Sequence, residues 1–197
     1  MQQWLDVDGD NTYAVNWPLT RQSNVVEIGA YKGRWACQII DKYGCKVFAY
    51  EPQLWAFEEI VFEAQIRPSL IPFNYALGTK DGVFPMSEWS TDACSFMYTD
   101  RRLRGEGRVR EATQVFAELA HYGHIDLVMM NIEGMEYVLL PYLLDMGVAT
   151  IIERFCVQWH TFMDESGVIY EAICEKLRAA GFERIWSYFP TLEAWSK

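Results

Sequence analysis

Short apolar runs alternate with amphipathic stretches along most of this chain of 197 residues. Apolar runs of four to ten residues predict buried strands, and they occur in six places: 24–29, 46–51, 70–77, 125–130, 149–158 and 182–189. Apolar residues recur at helical spacing in four other segments: 34–43, 52–66, 109–122 and 165–180. This alternation predicts an α/β fold, with a mostly parallel sheet that is covered by helices on both faces.

The segment 79–108 interrupts the alternation. Gly82 and Pro85 lie among mixed short runs between residues 79 and 104, and they favour a hairpin-like insertion over a helix. An arginine-rich stretch follows, which we interpret as a loop. Since 51% of the residues are apolar, the chain can fill a sizeable core, and we predict a single domain over 1–197 with an N-terminal extension at 1–23.

The composition limits the kinds of partner. A net charge of −10 argues against a nucleic-acid surface, because phosphate contacts need clustered basic residues. The five cysteines are scattered and form no C-x-x-C pair, so we expect reduced thiols and no zinc framework. No signal sequence opens the chain, and no apolar run approaches the roughly 20 residues of a membrane span. We therefore predict a cytoplasmic protein that acts on a small molecule.

The ends of the first two predicted strands carry candidate ligand-binding groups. The first strand closes with Glu27-Ile-Gly-Ala-Tyr-Lys-Gly33, and glycines at such a turn let the backbone approach a ligand. Glu51 closes the second strand, where an acid can accept both hydroxyls of a ribose. Each feature alone also fits a plain tight turn or a glutamate near a helix N-terminus. Together they favour an adenosine-type ligand, although the G-x-G-x-x-G spacing of dinucleotide-binding folds is missing.

Four motifs in order carry a more specific signal: VVEIGAYKG at 25–33, VFAYEP at 47–52, NYALG at 74–78 and IDLVMMNIEGME at 125–136. With these motifs the chain resembles the FkbM family of S-adenosylmethionine-dependent methyltransferases over residues 24–160. The resemblance implies the class I, Rossmann-like methyltransferase fold. It also implies S-adenosylmethionine as cofactor, S-adenosylhomocysteine as product, and methylation of a hydroxyl, often on a sugar or a polyketide-like metabolite.

The resemblance further implies roles for individual residues. The first turn would shape the methionine side of the cofactor pocket, Glu51-Pro52 would hold the ribose, and residues 74–76 would border the adenine. The cofactor-binding residues implied in this way are Glu27, Gly29, Ala30, Tyr31, Gly33, Glu51, Pro52, Asn74, Tyr75, Ala76 and Asn131. The chain departs from the family at Glu27, where aspartate is more common, and at Met129 and Asn131, where lysine and aspartate are common.

The polar end of the fourth strand allows two interpretations. Asn131 is a favoured N-cap, which would put Glu133 and Glu136 in the first turn of the next helix. At the carboxyl edge of a sheet, the same amide can also accept from the cofactor's ammonium and donate to a substrate oxygen. We therefore take Asn131 and Glu133 as candidate catalytic residues and Glu136 as a candidate substrate ligand. Pro141 is expected to kink or split that helix.

The fifth strand ends near Trp159 and His160. His160 is the natural general base for a hydroxyl, because the pKa of histidine lies near neutrality. A packed, hydrogen-bonded histidine is the alternative. Trp159 is a candidate apolar wall for the face of a sugar, or else a core residue. No ligand spacing demands a metal, and we predict none.

Arg101, Arg102 and Arg104 belong to a stretch that holds five of the seventeen basic residues. A solvated surface loop is the plain interpretation of such a charge run. The functional one is a lid that recognises an anionic substrate, because guanidinium groups match carboxylate and phosphate oxygens.

These observations predict an S-adenosylmethionine-dependent O-methyltransferase, with a sugar or saccharide-containing metabolite as the first candidate acceptor. One alternative is a catalytically impaired scaffold that binds a cofactor or a partner, which the departures at Met129 and Asn131 favour. Another is an NAD-dependent oxidoreductase, which the missing glycines disfavour. The short chain leaves little room for a substrate domain, so we expect the insertion or a second copy of the chain to complete the pocket.

Overall fold

A computed structural model describes residues 2–88, 94–97, 102–161 and 166–197, except for the side chains of Glu88, Cys94 and Arg104. The helices are α1 (Gln2–Asp6), α2 (Arg34–Tyr43), α3 (Leu54–Ala64), α4 (Ala112–Leu119), α5 (Glu136–Asp145) and α6 (Ser166–Ala179), with short 3₁₀ helices at Ala120–Tyr122 and Val148–Ile151. The strands are β1 (Asn24–Ile28), β2 (Lys46–Tyr50), β3 (Leu70–Phe73), β4 (Ala76–Gly78), β5 (Gly82–Glu88), β6 (Cys94–Ser95), β7 (Leu103–Glu111), β8 (Leu127–Met130), β9 (Arg154–Val157), β10 (Glu183–Tyr188) and β11 (Leu192–Ser196).

The main sheet has seven strands in the order β10-β11-β9-β8-β1-β2-β3. The pairs from β9 to β3 are parallel, and β11 is antiparallel to both of its neighbours. Successive residues of a strand face opposite sides of the sheet. Val26 and Ile28 accordingly pack in the core that contains α4, α5 and α6, whereas Val25 packs in the core that contains α2 and α3. The predicted fold class is confirmed.

A second sheet of four strands, in the order β4-β7-β5-β6, occupies most of the predicted insertion. β5 and β7 form an antiparallel pair, which places Gly82 opposite Val109. The interpretation of the arginine-rich stretch as a loop is therefore wrong for Leu103–Glu111, which form a strand. Pairing with β5 and β4 satisfies the backbone of this stretch, and residues distant in sequence decide that pairing.

Other boundaries also differ from the prediction. The third predicted strand, 70–77, is divided between β3 and β4, which belong to different sheets. The helix predicted at 109–122 begins only at Ala112, because Glu111 caps it by accepting the backbone N–H groups of Thr113 and Gln114. β11 was not predicted. Its place between β9 and β10 depends on pairing with strands that lie elsewhere in the sequence.

Pro141 lies inside α5 and does not split it. The buried side chains of Leu139, Leu140 and Leu143 hold both halves of the helix in the core. Among the helices of the described residues, none combines the length and hydrophobicity that a membrane crossing requires.

Candidate active site

A cleft of about 460 Å³ lies at the carboxyl ends of β1, β2 and β8, below the second sheet. The strand ends and their loops contribute Ile28, Gly29, Tyr31, Glu51, Pro52, Gln53, Asn131, Ile132, Glu133 and Met135. The second sheet and its turns contribute Ala76, Leu77, Gly78, Thr79, Lys80, Phe84, Pro85, Phe96 and Val109. Ligands of open α/β sheets bind at this edge, and the volume suits a small molecule.

The turn after β1 lies close to the loop after β8. Gly29 has a φ of +82°, and a Cβ at this position would lie 2.0 Å from the carbonyl oxygen of Asn131. The turn is fixed from the other side, because the N–H groups of Gly29 and Ala30 both donate to the carbonyl of Tyr50 at 3.0 Å. Gly33 lies further back, where it packs against Ile60 of α3. Only glycine therefore lets the first turn approach the β8 loop.

The carboxyl group of Glu51 is buried at the cleft wall, where its side chain is held by two backbone donors. The N–H of Tyr31 donates to Oε2 at 2.8 Å, and the N–H of Gln53 donates to Oε1 at 2.8 Å. Burial is the largest influence and raises the pKa of Glu51 to about 7, although both hydrogen bonds act to lower it. The group is positioned to accept hydrogen bonds from a bound ligand.

Glu27 lies behind this wall and does not line the cleft. It is buried, and its Oε2 has no hydrogen-bond partner among the described residues. Burial, followed by repulsion from Glu51, raises the pKa of Glu27 well above its usual value. Its predicted contact with the cofactor stays a prediction.

The predicted adenine-binding residues occupy different positions. Ala76 lines the cleft. Asn74 instead secures the turn after β2, because its Nδ2 donates to the carbonyls of Glu51 at 2.9 Å and Pro52 at 3.3 Å. The ring of Tyr75 packs against Tyr50. Of these three residues, Ala76 alone reaches the cleft.

The helix that follows β8 begins later than the sequence predicts. Met135, not Asn131, is the N-cap of α5, so only Glu136 lies in the first turn. Asn131 lines the cleft, and its buried Oδ1 has no partner among the described residues. The prediction of Asn131 as the helix cap is wrong, because residues 132–135 form an additional turn. In this turn Glu133 has a φ of +53° and Gly134 a φ of +97°.

His160 lies between two carboxylates from this loop. Its Nδ1 is 2.6 Å from Oε1 of Glu136, and its Nε2 is 3.3 Å from Oε2 of Glu133. Burial by itself lowers the pKa of His160, but hydrogen bonds and charges of Glu133 and Glu136 outweigh it and raise the pKa to about 9. Of the three side chains, only Glu133 lines the cleft. The described residues contain no cluster suited to a metal ion.

The remaining predicted substrate ligands lie away from the cleft or outside the described part of the chain. Trp159 is 2% exposed and packs between the rings of Tyr137 and Tyr170. Arg102 is exposed and is not among the residues that line the cleft. Arg101 and the side chain of Arg104 lie outside the described residues.

The contribution of the second sheet to the cleft was not predicted from the sequence. Phe84, Pro85 and Phe96 line one side of the cleft, and Lys80 is its one basic residue among the described ones. No ligand-binding motif marks these positions. The only signal was the aromatic content of the insertion, which is also typical of ordinary strands.

The family profile described as Methyltransferase FkbM domain matches residues 27–184. The chain belongs to the FkbM methyltransferase family. This confirms the resemblance seen in the motifs, and it makes S-adenosylmethionine the cofactor. The sequence has no significant match among curated proteins.

Solved structures of methyltransferases share the fold of this family member. Fibrillarin from Aeropyrum pernix, crystallised with natively bound S-adenosyl-L-methionine, is 10% identical, with a TM-score of 0.52 over 92% of this chain and 68% of that one. Precorrin-6y C5,15-methyltransferase from Geobacter metallireducens GS-15 is 12% identical, with a TM-score of 0.51 over 98% and 87% of the two chains. At this level of identity the likeness shows the fold alone.

Proposed function

We propose that this FkbM-family protein transfers the methyl group of S-adenosylmethionine to a hydroxyl of a small molecule. The observation that carries the proposal is the presence of Glu51 and Glu133 in one cleft at the carboxyl edge of the sheet. Glu51 would hold the ribose at one end, and Glu133 would accept a hydrogen bond from the acceptor hydroxyl at the other. A sugar or saccharide-containing metabolite remains the first candidate acceptor.

The cleft suits this cofactor in three respects. Oδ1 of Asn131 is a buried acceptor with no partner among the described residues, and it would accept from the ammonium group. The contact between Gly29 and the β8 loop leaves no side chain that would block the methionine moiety. The carboxyl groups of Glu51 and Glu133 also favour a ligand with a positively charged sulfonium.

The chemical work left to the protein is mainly positioning. When bound, S-adenosylmethionine supplies a methyl group that is already activated by the sulfonium. Correct alignment of two reactants can lower a barrier by about 7–11 kcal/mol. A general base contributes typically about 10²–10⁴-fold, equivalent to about 3–5 kcal/mol. The walls of the cleft therefore supply the larger effect, and a base adds to it.

Calorimetric titration with S-adenosylmethionine, S-adenosylhomocysteine and NAD tests the cofactor. We expect the first two to bind and NAD not to bind. Binding of NAD alone would instead support the oxidoreductase alternative.

A methyl-transfer assay then tests the reaction, with saccharides, other small hydroxyl compounds, amines and RNA as acceptors. We expect transfer to a hydroxyl compound, and a strong decrease with Glu51→Ala at cofactor concentrations below saturation. Glu153→Gln, which changes a carboxylate outside the cleft, should leave the rate unchanged. Transfer to RNA or to carbon would contradict the proposal, and cofactor binding without transfer to any acceptor would favour the scaffold alternative.

A further inference from the structure

The histidine at the end of β9 is arranged as a hydrogen-bond donor. Both of its ring nitrogens face carboxylate oxygens, Nδ1 at 2.6 Å from Glu136 and Nε2 at 3.3 Å from Glu133. An ionised carboxylate can only accept, so each ring nitrogen that bonds to one must carry a proton. His160 is therefore an imidazolium in this arrangement, and an imidazolium has no lone pair with which to take a proton from a substrate.

The burial of the Glu136 carboxyl group also indicates that His160 carries a positive charge. The carboxyl group of Glu136 is completely buried, and Oε1 also accepts the backbone N–H of His160 at 2.9 Å. A buried carboxylate needs a positively charged partner, and the imidazolium provides one. With a pKa of about 9, only about one His160 ring in a hundred lacks its proton near pH 7. At neutral pH the ring is a poor general base.

Glu133 is held in place from three sides. Its backbone has a φ of +53°, which is uncommon outside glycine. Its carbonyl oxygen accepts from Oγ of Ser95 at 2.8 Å, which joins the loop to the second sheet. Its carboxylate contacts Nε2 of His160, and the next residue, Gly134, donates its N–H to Oε2 of Glu136 at 3.0 Å. The surrounding structure thus imposes an unusual backbone conformation on a residue of the cleft wall.

We propose that Glu133 is the catalytic carboxylate that takes the proton of the acceptor hydroxyl. His160 is then a positioning residue, which as an imidazolium holds the carboxylate of Glu133 in place. This assignment rests on the proposed function, and it gives Glu133 the role of general base that the sequence suggested for His160. In the reaction a bond forms between the acceptor oxygen and the methyl carbon, the carbon–sulfur bond breaks, and its electron pair stays on sulfur. The hydroxyl proton moves to Glu133 and from there to water.

The pH dependence of the reaction distinguishes the two assignments. If His160 were the base, the rate would rise with pH up to about 9, because only the neutral ring takes a proton. If His160 is instead a cation that positions Glu133, the rate should stay level through the neutral range and fall above about pH 9, where the ring loses its proton. Within the part of the chain that the structure describes, Glu133 and Glu136 face His160, and Glu51 and Lys80 line the same cleft as Glu133.

Single-turnover methyl transfer with saturating cofactor is the kinetic test. We expect Glu133→Gln to lower the rate about 10²–10⁴-fold even at saturating cofactor, where a loss of cofactor affinity no longer affects the rate. His160→Gln should lower it less and should remove the decline above about pH 9. The matched control is His124→Gln, which alters a half-exposed histidine 3.5 Å from Glu153. A rate that rises up to about pH 9, or a Glu133→Gln variant with the full rate, would overturn the assignment.

The charge of His160 can also be measured in the absence of methyl transfer. Nuclear magnetic resonance of ¹⁵N-labelled histidine in the cofactor-free protein should show an imidazolium at neutral pH that titrates near pH 9. Glu136→Gln should move the midpoint towards the ordinary value. Because that variant removes a buried carboxylate and can unfold, Glu133→Gln provides a second test, with a shift in the same direction. A wild-type midpoint near the ordinary value of about 6.5 would overturn the imidazolium.

The two proposals can fail separately. If the wild-type protein transfers methyl groups to no acceptor but His160 titrates near pH 9, the proposed function fails and the charge assignment stands. If transfer occurs and His160 titrates at its ordinary pKa, the proposed function stands and the assignment to Glu133 and His160 fails.

Discussion

At the scale of single residues, Glu51 shows how the fold prepares a carboxyl group for a ligand. Both of its oxygens already accept one backbone N–H, from Tyr31 and from Gln53. A carboxylate oxygen has two lone-pair sites, and the side chain of Gln53 also hydrogen-bonds to this carboxyl group. The proposed ribose contact would use the acceptor sites that remain. Because burial raises the pKa to about 7, the free protein holds Glu51 partly protonated near neutral pH.

Replacement of Glu51 by Gln keeps the size of the side chain and removes its charge. We expect the affinity for S-adenosylmethionine to fall roughly 10–150-fold, since hydrogen bonds to a charged group contribute about 1.5–3 kcal/mol. Hydroxyl donors prefer the ionised carboxyl, so the wild-type affinity should increase as the pH rises through about 7. Calorimetry at about pH 6 and about pH 8 measures both effects. An equal pH dependence in wild type and variant would show that Glu51 is not its origin.

The contact between His160, which follows β9, and Glu136 could not be predicted from the local sequence. His160 was predicted as a base because the ordinary pKa of histidine is near neutrality. Its actual surroundings include Glu136, which lies 24 residues away in the sequence. Together with Glu133, this buried partner raises the pKa of His160, and no sequence motif marks the contact.

At the scale of elements, the turn between β1 and α2 and the loop after β8 depend on each other. The space for Asn131 exists because Gly29 has no side chain. The same loop carries Glu133 and is joined by Ser95 to the second sheet. We therefore expect a substitution at Gly29 to displace Asn131 and Glu133, the two residues of this loop discussed as ligand contacts.

Gly29→Ala tests this dependence, and Gly147→Ala is a matched control. Gly147 also has a positive φ, of 73°, but a Cβ there would meet no atom within 4 Å. The control should lower the free energy of unfolding by roughly 1–2 kcal/mol, the cost of a left-handed alanine. Gly29→Ala should lower it further and abolish cofactor binding, because its Cβ would lie 2.0 Å from the carbonyl oxygen of Asn131. Urea unfolding and calorimetry measure the two quantities. Equal losses of stability with retained binding would contradict the contact.

Elements that depend on local pattern were predicted well, and those that depend on pairing were not. β1 and β2 were recognised because buried parallel strands are continuous apolar runs. β7 was read partly as a loop and partly as a helix, since its residues alternate charge with glycine and valine. Pairing with β5 and with β4 makes this stretch a strand.

At the scale of the whole molecule, the acidic chain buries several groups that hold protons in the folded state. The pKa values of Glu27, Glu51 and His160 are all raised. A group whose pKa is higher in the folded state stabilises the fold below its unfolded pKa and loses that contribution as the pH rises through the folded value. For His160 this window lies between about 6.5 and about 9.

The free energy of unfolding should therefore decrease between about pH 7 and about pH 9, with a contribution of roughly 1–3 kcal/mol from His160. His160→Gln should show a smaller decrease, because the variant cannot lose a proton at this position. His124→Gln should follow the wild type. Urea unfolding at the two pH values measures the difference. Parallel curves for wild type and His160→Gln would show that the ring is not stabilised as a cation.

The sequence by itself determined the alternation of strands and helices, the glycine turn after β1, the acid after β2 and the family. These features depend on local periodicity and on strand ends, where parallel strands bring their carboxyl edges together. The tertiary structure alone decided that the second sheet lines the cleft, that Met135 caps α5, and that His160 lies between two carboxylates. Each of these depends on contacts between residues far apart in the chain, such as Ser95 with Glu133 or Glu136 with His160. Burial and hydrogen bonding at such contacts set conformation and charge, and neither is written in the spacing of residues.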